Sequence, residues 1–437
     1  MKTKVFFYLA VAIFIVACSN HESIDSVPMT PIKSSVNNIR SYEDAMKIAQ
    51  ASISMLNDPK SSTRGESNTR KIDLDNSKKV VKLDAKTRSD LCINDTLIYV
   101  FNFQDNEGFI LVSASENTEP ILAITEQGYY NPEERSEIVG FELFMSMAKN
   151  YVATASKQAS RSYTRALQKD TIIHSYTVNA GPYVTVKWGQ NYPEGEFCSN
   201  GLAGCTNTAM AQVMSYYQYP SGISLTYSGA DQNYQTLNWT DLKNHNTQNQ
   251  HHWYSSSCNN QNAHKAIARL HRQLGKLNQS EYENGGTSTY AYKSRQTFIN
   301  LGYNISYWYH KDYDGYNSYF VRNQLNNAHL LLFGGTLITE NNDSIGHRWI
   351  ADGYLTDVAT EYVMELVGSG NHPMWVIVGQ YGSATYYYNH FNWGWYGENN
   401  GYFLEDVYNT AEVYMSESNT IYNDNYMYEV NYYSVYH

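Results

Sequence analysis

The chain has 437 residues, of which 42% are hydrophobic, and its formal net charge is −11. A chain of this length can bury one large hydrophobic core or two ordinary ones, and we expect two units. The acidic balance, without any basic stripe, argues against nucleic acid as a partner, because a nucleic-acid surface needs cations to neutralise phosphates.

The first residues predict an export signal. Lys2 and Lys4 precede an apolar run over 5–17, which is short for a permanent membrane span. The four residues that end at Cys18, Ile-Val-Ala-Cys, resemble a bacterial lipobox, in which the signal is cut before a cysteine that then receives lipid. We therefore expect a signal segment over 1–18 and a lipid anchor on Cys18. The expected location is the outer membrane or cell surface, with release after processing left open. An ordinary secreted protein is the alternative.

The next part of the chain predicts a small α+β unit over 41–160. Residues 19–40 lack periodicity and are expected to form a tether. Ser41 opens a capping-box-like start, and apolar residues on one helical face follow it. Further elements are then expected: a hairpin with strands over 97–103 and 109–113, a strand over 121–125 and a helix over 140–156.

A polar stretch over 161–177 predicts a linker, in which Arg161 and Arg165 are candidate cleavage sites because polar linkers are exposed. Beyond it, 178–437 is predicted as a second α+β unit, with helices first and an antiparallel sheet after. Its predicted elements are a helix over 263–274 that ends at Gly275 and strands over 330–333, 336–339, 348–352, 374–378 and 385–393.

The cysteines are compatible with a free thiol at Cys205. Without Cys18, four remain, and pairing Cys198 with Cys258 would leave Cys205 free, although spacing alone cannot establish which thiols pair. No Cys or His spacing matches a zinc pattern, so neither a metal nor a cofactor is expected. The other two cysteines of the chain are Cys18 and Cys92.

Cys205 has the setting of a nucleophile. Apolar residues follow it at helical spacing, so the thiol lies in the first turn of a predicted helix, where the partial positive charge of the terminus stabilises a thiolate. Gly346 and His347 lie downstream, with His347 142 residues away (347 − 205), at the edge of a strand-like run. A lone cysteine is more often buried and inert. The pairing with His347 favours a nucleophile and its base.

Four blocks of sequence resemble the streptopain family of papain-like cysteine peptidases. They span nearly all of 180–410, and a fifth, weaker block is Leu274-Gly275 with Tyr282 and the loop 285–288. The four are Trp188-Gly189-Gln190 with Pro193, Gly204-Cys205-Thr206, Gly346-His347 with Asp352-Gly353-Tyr354, and Asn392-Trp393-Gly394-Trp395 before Gly401-Tyr402-Phe403.

The resemblance implies a papain-like catalytic domain over 178–437, with a helical part and an antiparallel sheet. An inhibitory prodomain over 41–160 precedes it, because 106–114 and 119–123 resemble the family's prosegment. Its implied function is that of a bacterial cysteine endopeptidase made as a zymogen and activated by removal of the prodomain. The implied partners are protein or peptide substrates and the prodomain itself.

The resemblance also implies roles in the site. Cys205 would attack the scissile carbonyl, and His347 would hold the thiolate and then protonate the leaving amine. Gln190 would donate to the oxyanion together with the backbone N–H of Cys205, and Trp393 would cover the pair. The family prefers an apolar substrate residue just before the cleaved one. Two other functions stay open: an inactive surface binding protein on the same fold, and a Cys-His amidase or acyltransferase.

The sequence departs from the family pattern at several positions. Thr206 and Asn207 follow the cysteine where small apolar residues are usual, and Arg348 replaces a small residue after the histidine. Residues 359–384 look like an insertion close to the site. Papain-like enzymes place the Asn that orients the histidine two residues before the Trp-Gly pair. Asn392 stands one residue later, at a cleft position, so we do not assign it that orienting role.

Overall fold

The structure, a computed structural model, describes residues 39–56, 70–75, 79–82, 96–157, 169–221, 238–245, 261–283, 285–308, 316–338, 344–367, 374–408 and 430–437. The signal segment with Cys18, nearly all of the tether, Cys92, Cys258 and both candidate cleavage arginines lie outside the described residues. Within these ranges, no helix has the length and apolar character that a membrane crossing requires.

The N-terminal elements match the sequence prediction. The first helix begins after Ser41, whose hydroxyl accepts a hydrogen bond from the Asp44 amide, as expected for a capping box. The predicted hairpin, third strand and long helix are all present, and a short strand at 79–82 is added to them. The elements are α1 (Tyr42–Ser52), β1 (Lys79–Lys82), β2 (Thr96–Asn102), β3 (Phe109–Ser113), β4 (Ile121–Thr125) and α2 (Val139–Lys157).

The helices that follow surround a buried central helix, α3. The prediction that Gly275 ends a helix is wrong, because α5 continues to Leu277. Gly275 instead allows close packing, since a Cβ there would overlap the hydroxyl of Tyr282. The helices are α3 (Cys205–Tyr217), α4 (Trp239–His245), α5 (Gln261–Leu277), α6 (Ala291–Asn300) and α7 (Ser318–Asn326).

The strands of the C-terminal part are longer than predicted. The strands expected over 330–333 and 336–339 form one strand, and those over 374–378 and 385–393 form another, because the small and polar residues between them lie within the strand. The strands are β5 (Lys169–Ala180), β6 (Glu281–Glu283), β7 (Gly286–Ser288), β8 (Asn304–Trp308), β9 (Leu330–Ile338), β10 (Ser344–Val367), β11 (Met374–Asn392), β12 (Gly401–Leu404) and β13 (Asn431–Tyr436).

Two regions that the sequence assigned to a linker and an insertion are strands. Residues 169–180 form β5, which pairs with β10 along 354–364, so only the first part of the predicted linker can lack strand structure. Of the proposed insertion, 359–367 belongs to β10 and 374–384 to β11, and the two stretches pair with each other. Strand β5 is rich in polar residues and largely exposed, so it lacks the apolar alternation that predicts a half-buried strand, whereas the insertion contains the strand predicted over 374–378.

One antiparallel sheet joins the two predicted units. Its order is β1-β2-β3-β4-β12-β11-β10-β9-β13-β8, with β5 beside β10, and the junction is the pairing of β4 with β12. Helix α2 packs on this sheet, with the Phe144 ring 4.9 Å from the ring of Phe403. The α+β class is therefore confirmed, while the two units share a sheet and a hydrophobic core. A second core lies around α3 and α5 and includes Trp188.

Candidate active site

Cys205 is the first residue of α3, and the backbone conformation of Gly204 directs the chain into the helix at that point. Gly204 has φ +89°, which favours glycine, and a Cβ there would lie 2.9 Å from the Cβ of Thr287. The helix runs on through buried residues from Thr206 to Ser215. The thiol thus sits at the positive end of a helix that the core holds in place.

His347 lies on β10, opposite Gly335 of β9, and is buried. One ring nitrogen, Nε2, lies 3.0 Å from the carbonyl oxygen of Trp393. Because a carbonyl only accepts, Nε2 carries the proton and Nδ1 is left to face the sulfur. The structure brings the Cys205 thiol and the His347 imidazole into hydrogen-bond contact.

The surroundings of Cys205 favour its thiolate. Burial raises the pKa of the thiol, but the hydrogen bond from His347, the charge of its imidazole, and the backbone N–H and guanidinium of Arg348 lower it to about 7. The other described thiol, Cys198, shows the opposite: burial raises its pKa. Cys198 is a free thiol, and Cys258, the partner considered for it, lies outside the described residues. The surroundings thus shift the pKa values of two thiols seven residues apart (205 − 198) in opposite directions.

Polar side chains on α3 form hydrogen bonds to the segments that contain Gly189 and Asn392. Thr208 donates to the carbonyl of Gly189 at 3.0 Å, and the Gln212 amide donates to the carbonyl of Trp188 at 3.1 Å and to Asn392 Oδ1 at 3.0 Å. All of these bonds are buried, where a well-paired polar group rigidifies its surroundings. The polar residues after the cysteine therefore fasten the helix to the irregular segment that carries Gln190.

Asn392 and Trp393 have separate positions. Asn392 is buried and does not face the cleft: its oxygen accepts from Gln212 and from the Gly394 amide, and its nitrogen donates to the carbonyl of Val186 at 3.1 Å. Trp393 is fully buried, and its carbonyl, not a side-chain amide, contacts His347. Sequence reasoning missed this contact, since any residue supplies a backbone carbonyl.

The turn that carries Gln190 is fixed at three backbone atoms. The amide of Gly189 donates to Glu194 at 3.2 Å, the carbonyl of Gln190 accepts from Ala203 at 2.7 Å, and the amide of Asn191 donates to the Tyr396 hydroxyl at 2.9 Å. Glu194 and Tyr396 were not identified from the sequence, although Tyr396 follows the Trp393 motif directly. Burial raises the pKa of Glu194 to about 8, so this carboxyl is protonated at neutral pH.

A cleft of about 470 Å³ opens beside the sulfur. One wall is β7, with Gly286 and Thr287, and the other wall is formed by β9 and β10 around His347. The remaining lining residues are Cys205, Thr206, Glu283, Gly285, Ser288, Thr289, Gly335, Thr336, Ile345, Gly346, Arg348 and Asn431.

The N-terminal segment reaches this site through α2. A Cβ on Gly140 would lie 2.7 Å from both His347 Cδ2 and Trp393 Cε3, so the backbone of α2 rests against the two rings. One turn further on, the Leu143 side chain packs so closely on Gly335 that no Cβ fits there. Helix α2 therefore covers the histidine and one wall of the cleft.

A second cluster of titratable residues lies where three segments of the chain meet. His174 of β5 pairs with the fully buried Asp357 of β10 at 2.5 Å, and Glu119 lies beside them. Ligand atoms of these three residues all lie within 4.8 Å of one another, so they could hold a metal ion. The absence of a metal therefore stays a prediction.

A thiolate at a helix N-terminus, paired with an imidazole whose other nitrogen is fixed, defines the class of cysteine-histidine enzymes. The Peptidase C10 family model matches residues 186–403, and a model described as Spi protease inhibitor matches residues 35–152. The chain belongs to the peptidase C10 family, which confirms the resemblance to the streptopain family.

Individual relatives are distant. The chain is 20% identical over 346 residues to the thiol protease/hemagglutinin PrtT of Porphyromonas gingivalis, covering 73% of this chain and 35% of that protein. The chain thus spans about a third of the length of this curated relative. A solved fragment of Prevotella intermedia prointerpain A is 16% identical, with 84% of this chain and 98% of the fragment covered and a TM-score of 0.47. Active wild-type interpain A gives 17% identity, 59% and 93% coverage and a TM-score of 0.36.

The rate of Cys205 alkylation by iodoacetamide should reach half its maximum near pH 7, because the thiolate is the reactive form. Below that pH the thiol is protonated and the rate falls. In His347→Ala the contact is lost while burial remains, so the midpoint should move to about 8.5 or above. Mass spectrometry of the Cys205 peptide measures the rate, with buried Cys198 as an internal reference. A wild-type midpoint in the ordinary thiol range would contradict this assignment.

Tyr396→Phe should lower kcat by about tenfold with little change in KM, because the Asn191 amide loses its buried acceptor and the Gln190 turn loosens. Peptide hydrolysis under steady-state conditions separates the two constants. Tyr319→Phe, at a tyrosine that is 75% exposed, is the control and should behave as the wild type. An unchanged kcat in Tyr396→Phe would show that the turn holds without this bond.

Proposed function

We propose that this protein is a cysteine endopeptidase made as a zymogen, which hydrolyses peptide bonds through a Cys205–His347 thiolate pair. The observation that carries the proposal is the contact of these two groups at the end of an open cleft. Membership of the peptidase C10 family supports the same function.

The residues can perform the reaction in two steps. The Cys205 thiolate attacks the scissile carbonyl, and Nδ1 of His347 gives its proton to the leaving amine. Water then attacks the thioester, with Nδ1 as the base that takes its proton, and the sulfur leaves as thiolate. The amide N–H at the start of α3 and the Gln190 side chain are proposed to donate to the oxyanion in both steps.

The prosegment is proposed to inhibit by occupying the site. Helix α2 rests on His347 and Trp393 and covers a wall of the cleft, so a substrate cannot reach the same surface. The match to the Spi protease inhibitor model supports an inhibitory role for this segment. Cleavage between 158 and 168, where Arg161 and Arg165 lie, would separate α2 from β5 and leave β5 paired to β10.

An ion pair between the buried His390 and the partly exposed Glu126 joins the prosegment to the sheet of the catalytic part. Glu126 lies 3.4 Å from Nε2 of His390, and Nδ1 of the same ring lies 2.5 Å from Asp352. Burial lowers the pKa of His390, but Asp352 and Glu126 raise it to about 10. Burial raises the pKa of Glu126, while His390, Lys187 and Arg70 lower it to about 2. Both groups are therefore charged at any ordinary working pH. Dilution into mild acid alone does not release the prosegment.

Export and anchoring rest on residues 1–18 alone. We infer that the signal is removed before Cys18 and that this thiol carries lipid at the outer membrane or cell surface. Metabolic labelling with a fatty acid tests it: label should depend on Cys18, and equal labelling of Cys18→Ser would contradict the anchor.

The other two candidate functions, a binding protein without catalysis and an amidase or acyltransferase, can be distinguished from a peptidase. A binding protein that has lost catalysis needs neither thiol nor imidazole, whereas both are present and in contact. An amidase or acyltransferase would be labelled at Cys205 by an epoxide inhibitor and yet cleave no peptide.

Cys205→Ala should abolish both the hydrolysis of casein and the cleavage of the chain between its two parts, because no other described thiol lines the cleft. Gel electrophoresis and N-terminal sequencing after incubation measure both. Adding wild-type protein in trans to the variant shows whether the junction can still be cut. Undiminished casein hydrolysis by the variant would remove the proposal.

Glu126→Gln should speed maturation of the full chain by about tenfold, because His390 keeps only one of its two carboxylates and the prosegment is held less tightly. The pair is partly exposed, so we expect the lower end of the range measured for interfacial ion pairs. Glu133→Gln, at an exposed carboxylate on the same segment, is the matched control. Equal maturation rates in the two variants would show that this pair does not hold the prosegment.

A further inference from the structure

Arg348 is a charged residue of the cleft whose side chain has no role in the steps of the proposed mechanism. It follows His347 on β10, where the family has a small residue, and it lines the cleft beside Cys205. Its side chain is 7% exposed. A guanidinium buried to that extent needs a partner of opposite charge, because removing it from water is costly.

The contacts of the Arg348 guanidinium in the structure satisfy only some of its hydrogen-bond donors. Nη2 donates to Asn431 Oδ1 at 3.2 Å, and the plane packs on Gly334, where a Cβ would lie 2.8 Å from Cζ. The guanidinium carbon lies 5.7 Å from the ring centre of Tyr433. In the part of the chain that the structure describes, Nη1 is buried and has no hydrogen-bond partner. All three contacts are with uncharged groups, so none of them neutralises the positive charge.

The charges of the cleft do not balance. The thiolate of Cys205 and the imidazolium of His347 compensate each other as an ion pair. The guanidinium of Arg348 is then left as a surplus positive charge in a largely closed corner. Glu283 is the one carboxylate among the residues lining the cleft, and it is exposed on the opposite wall.

We propose that Arg348 is a specificity-determining residue, which binds the carboxylate of an aspartate or glutamate side chain that a substrate places in the cleft next to the scissile bond. The inference rests on the proposed peptidase function and assigns it a substrate class. A carboxylate accepts two parallel N–H bonds from a guanidinium, so it supplies both the missing charge and the missing acceptor.

The surrounding residues fit a polar side chain better than a large apolar one. Thr287, Ser288, Thr289 and Thr336 bring hydroxyl groups to the same cleft, and Ile345 is its one aliphatic residue. An apolar side chain would leave Nη1 without a partner, and a site built around a hydrogen bond rejects a ligand that cannot complete it. The apolar preference implied by the family resemblance is therefore replaced, for this chain, by an acidic one.

Two matched pairs of probes test the inference on the full chain after incubation, with the released segment left in the mixture. The first pair consists of two fluorogenic peptides that are identical except for one residue, which is glutamate in one peptide and glutamine in the other. This residue is placed in turn at each of the two positions on either side of the scissile bond. The second pair consists of peptidyl epoxides with the same substitution, which label Cys205 without any hydrolysis. The readout is the glutamate-to-glutamine ratio of kcat/KM or of labelling rate.

The ratio is the decisive quantity because the charge of Arg348 also lowers the pKa of the thiol. Replacing it therefore slows the reaction with both members of a pair, and that common loss cancels in the ratio. We expect a ratio of at least about 10 for the wild type at one position, near 1 for Arg348→Gln and intermediate for Arg348→Lys. Glu283→Gln, from the opposite wall, should keep the ratio or raise it.

Each outcome decides one claim. A wild-type ratio near or below 1 at all positions, or a high ratio that Arg348→Gln retains, would overturn the inference and leave the peptidase function standing. An Arg348-dependent labelling ratio without hydrolysis of any peptide would support the carboxylate site and contradict the peptidase function. If Arg348→Gln unfolds, as judged by its melting temperature, Arg348→Lys and the wild-type ratio still test the proposal.

Discussion

The contact between the Cys205 sulfur and the His347 imidazole is the interaction on which the rest of the site depends. It joins the first turn of α3 to β10, an inner strand of the sheet that contributes residues to both hydrophobic cores. Neither group is free to move, because α3 is buried along most of its length and the Trp393 carbonyl fixes the imidazole. A shift of about 1 Å in either element would separate the pair, and proximity of this kind accounts for much of an enzyme's rate.

The same sheet explains how a separate N-terminal segment can reach the site. Strand β4 pairs with β12, and α2 packs over the junction, so the phenylalanines of α2 lie in one core with the aromatic residues behind His347. This arrangement brings the start of α2 onto the imidazole of His347, so no separate loop is needed to cover the site. Removal of the segment exposes an edge strand and a large apolar surface, which natural proteins rarely leave uncovered. Rearrangement or a partner at that surface would follow activation.

The sequence predicted the parts of the fold whose signals are local. The N-cap at Ser41, the hairpin around 104–108 and the helix that begins at Cys205 all have short-range patterns, and each element is present. The long strands β10 and β11 were divided or missed, since glycines and polar residues interrupt their apolar alternation. Strand β5 was taken for a linker for the same reason, because its stability comes from pairing with β10 rather than from its own apolar residues.

The site shows the same division. Cys205 and His347 were found because helix start and Gly-His context are visible in the sequence, whereas the partner of His347 is a backbone carbonyl that any residue could supply. Glu194 and Tyr396 act on the backbone of the Gln190 turn from 4 and 206 residues away (194 − 190, 396 − 190), and no spacing rule connects them. Arg348 was noticed as a departure, but only the cleft around it shows that Nη1 has no hydrogen-bond partner among the described residues.

The pairing of sulfur and imidazole can be measured directly by bifunctional alkylation. A short dihaloketone first alkylates the thiol and then reacts with a second nucleophile only if one lies within a few bonds. Applied to the full chain, it should join the peptide that contains Cys205 to the peptide that contains His347, as seen by mass spectrometry after digestion, and His347→Ala should remove the linked product. Alkylation of Cys205 without any link to His347, under conditions where the protein stays folded, would contradict the account.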